Sequence, residues 1–259
     1  MNLDERRKIT YLSPPAAVSM ADSWYDIASL EHFWIRRRFE VLKRLANQLL
    51  CQAGSAAEVG CGNGLLQRHV EDEYGIQVAG FELNELALQK SLSRISPLYC
   101  YDVYQRAAEF RSKFDALFLF DVLEHIEEQQ SFLDAVAFHL KETGTLVVNV
   151  PAYQSLYSRY DEAAGHFRRY SIGYLREIAE STGLKVRSYT YWGLPLLPLV
   201  ILRKVLLGLQ RNRKEPGVIS LGFDPGGGAS NAAFRFLSRL EFVPQKLMGT
   251  SLMTTLSRG

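Results

Sequence analysis

The chain has 259 residues, 47% of them hydrophobic and 22% charged, enough for one large α/β domain with a substantial core and too little for two comfortable ones. A formal net charge of +2 argues against a dedicated nucleic-acid surface, whose affinity would rest on a strongly basic face, although RNA stays open as a substrate. Three cysteines, Cys51, Cys61 and Cys100, form neither a CxxC pair nor an even framework, so reduced thiols and no thiolate metal cluster are expected.

The opening "MNLDERRKIT" carries charges of both signs and no apolar run, which reads as no signal peptide and a cytoplasmic location. From Trp24 to Leu50 apolar residues recur at helical spacing, with Ile35, Phe39, Leu42, Leu45, Ala46 and Leu49 sharing one face of one or two helices. In that stretch His32, Phe33 and Trp34 fit either a lid over a ligand or ordinary core packing. Next come "AAEVG" as a strand, "LLQRHVEDEY" as a helix, "QVAGFEL" as a strand and "ELALQKSLSRI" as a helix. Strands follow at "PLYCYDV" and "FDALFLFD", then a helix through "SFLDAVAFHLK", a turn at "ETG" and the strand "TLVVNVP". This alternation predicts a parallel sheet with helices on both faces.

Beyond Pro151 the rhythm changes. "AYQSLYSRYDEAAGHFRRYS" is polar, aromatic and too long for an ordinary connection, which favours a functional loop. "IGYLREIAESTGL" reads as a helix closed by Gly183 and "KVRSYTYW" as a strand. An apolar and basic helix, the glycine-rich turn "DPGGGAS", the helix "NAAFRFLSRLEF" and the strand "GTSLMTTLSR" complete the chain. One domain results: N-terminal helices over 1–50, a ligand-binding core over 51–192, a helical insertion over 193–246 and a last strand over 247–259.

The most informative stretch is "AEVGCGNGLLQRHV". A glycine-rich turn between a strand and a helix brings a ligand against bare backbone and aims helix N-terminal N–H groups at it. Dinucleotides and S-adenosylmethionine both use such a turn. A dinucleotide fingerprint asks for a third glycine where this chain has Leu65, whereas Gly60, Gly62 and Gly64 follow an acid, Glu58, suited to an ammonium. Glu82, 22 positions after Gly60, suits both hydroxyls of a ribose, and Asp102 suits an adenine amino group or a turn. With Phe120 and Asp121, four consecutive strand ends each carry a plausible contact, where ligands of open parallel sheets bind.

"EVGCGNG", "GFELN", "FDALFLFDVLEHIEE" and "GTLVVNVP", in this order and spacing, resemble the class I S-adenosylmethionine-dependent methyltransferases. "EHFWIRRRFEVL" and "VPAYQSLYSRYDEAAGHFRRYSIGYL" resemble a bacterial subgroup found with surface-sugar and lipid pathways. The resemblance spans roughly Leu30 to Tyr191. It implies a Rossmann-like, seven-stranded, mostly parallel sheet with the last strand antiparallel, and methyl transfer without naming an acceptor. It also implies that S-adenosyl-L-methionine rests on Glu58, Gly60, Cys61, Gly62, Asn63, Gly64, Glu82, Leu83, Asp102, Phe120 and Asp121.

Transfer from a sulfonium is an in-line displacement, so the protein's task is alignment, exclusion of water and removal of the acceptor's proton. Asp121 and Glu124 share a face three residues apart, His125 adjoins them, and His166 arrives from the long loop. These four offer a divalent metal site, with a spacing similar to metal-dependent methyltransferases of terminal RNA ribose and partly to ubiquinone-pathway O-methyltransferases. Equally, His166 serves as a metal-free base with His125 and Glu124 beside it, or all are structural. Arg168 and Arg169 suit an acceptor phosphate or carboxylate, or Asp161 and Glu162 of their own loop. The leading expectation is O-methylation of a sugar, lipid-linked or quinone-like small acceptor; a scaffold that binds S-adenosylmethionine without turnover is the alternative of another class.

"LPLLPLVILRKVLLGLQRNRK" joins an apolar run to Arg203, Lys204, Arg211, Arg213 and Lys214. Such a segment, 193–214, suits a peripheral contact with the inner membrane face, a sheet-edge cover or a dimer surface.

Overall fold

The computed structural model describes residues 9–17, 28–209, 218 and 227–259. Eight strands form one sheet: β1 (Ile9–Tyr11), β2 (Ala56–Val59), β3 (Ala79–Glu82), β4 (Leu98–Cys100), β5 (Phe114–Phe120), β6 (Leu140–Pro151), β7 (Leu184–Trp192) and β8 (Ser251–Arg258). Their spatial order is β1-β4-β3-β2-β5-β6-β8-β7. Every pairing is parallel except the two made by β8, so the last strand is antiparallel as expected.

The strand number is one more than expected. Residues 9–11, read as part of a helical N-terminal region, pair with β4 through Ile9↔Leu98, Thr10↔Tyr99 and Tyr11↔Cys100. Three residues at a sheet edge are too few to show a two-residue alternation, which is why the pattern hid them.

Inside the sheet the alternation is visible residue by residue. Ala116, Phe118 and Phe120 of β5 enter one core cluster, while Leu117 and Leu119 enter the other. The first cluster is covered by α1 (Phe33–Gln52) and α2 (Leu65–Tyr74), through Phe39, Leu42, Leu50, Leu66 and Val70. The second is covered by α4 (Gln129–His139) and α6 (Ile172–Ser181), through Leu133, Val136, Leu175 and Ala179. Helices thus lie on both faces of a mostly parallel sheet.

Two local expectations are corrected. "ETG" is not a turn: β6 stays extended from Leu140, and a register shift between Phe114 and Ala116 absorbs the irregularity. The helix expected over "ELALQKSLSRI" shrinks to α3 (Glu85–Gln89). Its second half wraps instead around Glu71, whose carboxylate accepts from Ser93 Oγ (2.6 Å), Ser96 Oγ (2.6 Å), Arg94 N (2.6 Å) and Ser96 N (3.0 Å). These bonds to a buried carboxylate of another helix take the place of the helical ones.

After β6 the chain forms the short helix α5 (Arg159–Ala163), and beyond β7 come α7 (Leu197–Leu209) and α8 (Gly228–Arg239). Glu241 ties the latter part to the body, accepting from Gly193 N (2.8 Å), Leu194 N (2.9 Å) and Arg37 Nη2 (3.4 Å). Residues 1–8 and 18–27, Trp24 among them, together with Arg211, Arg213, Lys214 and Asp224 to Gly226, lie outside the described residues.

Candidate functional site

Strand order reverses between β2 and β5, since the chain runs outward from β2 to β4 and then returns to the other side of β2. A crevice at the carboxyl ends of such strands is where open α/β sheets take ligands. The glycine turn lies there. Gly60, Gly62 and Gly64 have φ of 72°, 53° and 74°, a region that penalises any Cβ. At Gly60 a Cβ would also stand 2.4 Å from Val122 Cγ2, so the turn rests directly on the second residue past the end of β5.

Glu82 closes this turn from below. Its Oε2 accepts from Gly62 N (2.9 Å), and its Oε1 accepts from Leu83 N (2.8 Å) and Asn84 N (2.9 Å). Burial raises its pKa, and these three backbone donors work against that rise. One lone pair of Oε2 remains for a ligand, so Glu82 both shapes the turn and borders its mouth. That shaping role was not foreseen. Cys61 and Asn63 are buried in the turn, and burial pushes the Cys61 thiol far up. Asp102 caps a short turn, accepting from Tyr104 N at 2.9 Å, while its own N–H donates to Ser13 Oγ at 2.8 Å.

Glu58 is buried within this crevice, and its Oε2 has no hydrogen-bond partner among the described residues. Burial pushes its pKa up to about 8; Arg38 opposes the rise, and Glu82 and Asp121 add to it. Arg38 does not neutralise Glu58 because its guanidinium is committed elsewhere. It bonds Asp121 Oδ2 at 2.5 Å and covers the Phe120 ring at 5.2 Å. Asp121 in turn accepts from Asn149 Nδ2 (2.6 Å), and Asn149 Oδ1 accepts from Trp192 Nε1 (2.9 Å). Arg38 and Asn149 were missed in the sequence: they come from α1 and β6, and only folding brings them to Asp121.

The proposed lid residues are partly packed away. His32 caps α1, accepting from Trp34 N at 3.3 Å, Phe33 packs against Phe234 at 5.0 Å, and Trp34 packs against Trp192 at 4.3 Å.

On the other side of Asp121, a one-turn helix over Leu123–His125 presents Glu124 and His125. The long loop docks on it through Phe167 N donating to Glu124 O at 2.8 Å. This brings His166 against His125, ring centroids 4.8 Å apart at 83°. Ligand atoms of Glu124, His125 and His166 all lie within 4.8 Å of one another. Asp121, expected as a fourth member, is not part of that group, because Arg38 and Asn149 hold both its oxygens.

His166 is fixed by a fully buried carboxylate. Asp161 Oδ1 lies 3.0 Å from His166 Nδ1 and 2.7 Å from Arg169 Nε, while Asp161 Oδ2 accepts from Ser158 N at 2.9 Å. Burial opposes the Asp161 charge, yet the His166 and Arg169 hydrogen bonds and the Arg169 charge outweigh it and hold the carboxyl below its usual value. An ionised carboxylate only accepts, so His166 donates Nδ1–H to Asp161, and Nε2 is the ring nitrogen left for another partner. His125 Nδ1 faces Gly165 O at 3.2 Å, and burial, reinforced by His166, lowers its pKa to about 4. Glu124 is buried, its Oε2 lacks a hydrogen-bond partner among the described residues, and burial followed by the Asp121 charge raises its pKa well above the usual range. Arg169 is thus committed to its own loop, whereas Arg168 is half-buried and bonds Tyr174 Oη and Glu127 O, both at 3.3 Å.

The crevice therefore has two ends: a bare glycine turn with an uncompensated buried carboxylate, which fits a ligand bearing an ammonium and a ribose, and a carboxylate-held imidazole. Solved structures share this fold. A S-adenosylmethionine-dependent methyltransferase from Archaeoglobus fulgidus aligns with a TM-score of 0.55 at 15% identity, covering 91% of this chain and 98% of that one. The [4+2]-cyclase SpnF aligns with a TM-score of 0.56 at 16% identity, covering 87% and 81%. Phosphoethanolamine N-methyltransferase 2 of Haemonchus contortus, in complex with S-adenosyl-L-methionine, aligns with a TM-score of 0.53 at 17% identity, covering 92% of this chain and 57% of that one. None of the curated proteins matches the chain. The family model described as "Methyltransferase domain" matches residues 30–189, and the chain belongs to this family as a class I S-adenosylmethionine-dependent methyltransferase.

Proposed function

We propose that the chain methylates a hydroxyl oxygen of a small, sugar-like, lipid-linked or quinone-like acceptor, with His166 receiving the hydroxyl proton. The Asp161–His166 contact at 3.0 Å carries this reading, because a buried carboxylate that fixes Nδ1–H turns Nε2 into an oriented base. S-adenosylmethionine supplies an activated methyl group. The chain's residues do the remainder: Glu58 receives the ammonium, Glu82 the ribose, and the glycine turn lets the ligand approach the backbone. Transfer of the methyl group to the acceptor oxygen would leave the electron pair of the broken carbon–sulfur bond on sulfur, and His166 Nε2 takes the acceptor's hydroxyl proton. Glu124 and His125 border that position.

Turnover of His166→Asn and Asp161→Asn, measured beside their affinity for S-adenosylmethionine, tests the assignment. Lost turnover at unchanged affinity supports it; full turnover in His166→Asn removes His166 from the reaction.

A second reading is favoured by the convergence of Glu124, His125 and His166 and by the unsatisfied buried Glu124 Oε2: these three hold a divalent cation. Such an ion would lower the pKa of a bound hydroxyl, sparing the protein a strong base. Dialysis against a chelator separates the two, since activity lost and restored by added metal selects the cation and unchanged activity selects the imidazole.

A further inference from the structure

Helix α7 is built inside out. Its cations face the protein: Arg203 stacks over the Tyr160 ring at 3.8 Å, and Lys204 donates to Ser155 O at 2.7 Å. Leu207, between them on the same face, packs with Tyr160. The aliphatic side chains Leu199, Ile201, Leu202, Val205, Leu206 and Leu209 face solvent instead, Leu209 at 77% exposure. A water-facing helix normally shows the reverse arrangement.

A second apolar group runs from the last turn of α8 into the segment after it. Phe236, Leu240, Phe242, Leu247 and Met248 are all exposed, Phe242 at 87%. Contiguous apolar exposure of this kind marks a surface that meets something apolar. Both segments are tied to one anchor, because Glu241 holds the N–H groups of Gly193 and Leu194, just before α7.

Charge identifies the occupant. From Leu197 to Met248 the sequence has eight basic and three acidic side chains, whereas the rest of the chain has 22 basic and 25 acidic. One of the three acids, Glu241, is buried and paired with Arg37. A basic segment with an outward aliphatic face complements an anionic bilayer, whose headgroups take the exposed Arg239 and Lys246 while its acyl boundary takes the apolar residues. A second copy of a chain that repeats the same positive excess would meet like charge.

We propose that α7 and the segment from Phe236 to Met248 dock the protein on an anionic membrane surface, lying in the interface. No helix among the described residues is long and apolar enough to cross a membrane. Through Arg203 on Tyr160, next to Asp161, the docked helix borders the loop that carries His166. An acceptor embedded in the bilayer would then reach the site without crossing water. The docking itself does not rest on the identity of the base or the acceptor.

Vesicle sedimentation tests it without turnover. The full chain is mixed with phosphatidylcholine vesicles containing or lacking phosphatidylglycerol, and L202D/V205D and F242D/L247D are compared with it. The expected result is partitioning about tenfold or more stronger onto the anionic vesicles, reduced about tenfold or more in each variant and weakened by salt. Unchanged melting temperature and S-adenosylmethionine affinity show that the variants are folded. The proposal is overturned if the wild type stays in solution with anionic vesicles, if the variants partition as it does, or if sedimentation velocity shows a dimer that L202D/V205D disperses while vesicles bind neither protein.

Discussion

Replacing Glu58 by glutamine should stabilise the ligand-free protein in a pH-dependent way. A carboxyl pushed from 4.5 to about 8 by burial costs the fold nothing while both folded and unfolded forms are protonated, below about pH 4.5. The penalty then grows as pH rises, and it is complete above about 8. At 1.36 kcal/mol per unit the full penalty is about 5 kcal/mol, and at pH 7 roughly 3 kcal/mol is already present. For a chain of this length that corresponds to a melting temperature of Glu58→Gln roughly 6–12 °C above wild type at pH 7, narrowing to a few degrees or less at pH 5. Differential scanning calorimetry of both ligand-free proteins at pH 5, 7 and 8.5 measures it. A difference that is the same at all three values would refute the idea that an uncompensated buried charge sits at Glu58. If Glu58 receives the ammonium as proposed, the same raised pKa should make S-adenosylmethionine binding release up to about one proton at pH 7, as the carboxyl ionises beside the arriving cation. Calorimetric titration in buffers of different ionisation enthalpy reads that proton, and the glutamine variant should show none from this source.

Three further expectations concern the same crevice. Glu82→Ala should weaken S-adenosylmethionine binding by about 1.5–3 kcal/mol, as read by isothermal titration, since it removes a ribose acceptor and the cap on Gly62, Leu83 and Asn84 together. His166→Asn should lower kcat by about 10²–10⁴ without altering that affinity, in a single-turnover assay with the acceptor. Gly60→Ala should destabilise the fold by about 1–3 kcal/mol in denaturant titration, and Val122→Ala should recover only part of this, because it relieves the 2.4 Å clash and not the φ of 72°.

What was legible in the sequence is what short stretches encode by themselves. Gly60, Gly62 and Gly64 announced a left-handed turn at a ligand, and Gly183 announced the end of α6, because positive φ leaves few alternatives to glycine. The spacing of Ile35, Phe39, Leu42 and Ala46 announced the buried face of α1, because one side of a helix recurs every three or four residues. What stayed hidden depends on contacts between distant segments. β1 exists only as a partner of β4, and α3 stops where Glu71, from a different helix, gathers the serines. Asp121 looked like a metal ligand until Arg38, 83 positions away, and Asn149 were seen to occupy it. His166 and Asp161 were both noticed within the loop, yet nothing in their spacing showed that one holds the other's Nδ1.

Methyl transfer to an oxygen with His166 as base is the central claim. It is tested most directly by incubating the wild type and His166→Asn with methyl-labelled S-adenosylmethionine and an extract of the source cells, with and without chelator, and isolating the labelled product. The account predicts an oxygen-methylated product from the wild type that survives chelation and is nearly absent with His166→Asn, although both proteins bind S-adenosylmethionine equally. Label appearing on nitrogen or carbon, or equal label from both proteins, would contradict it.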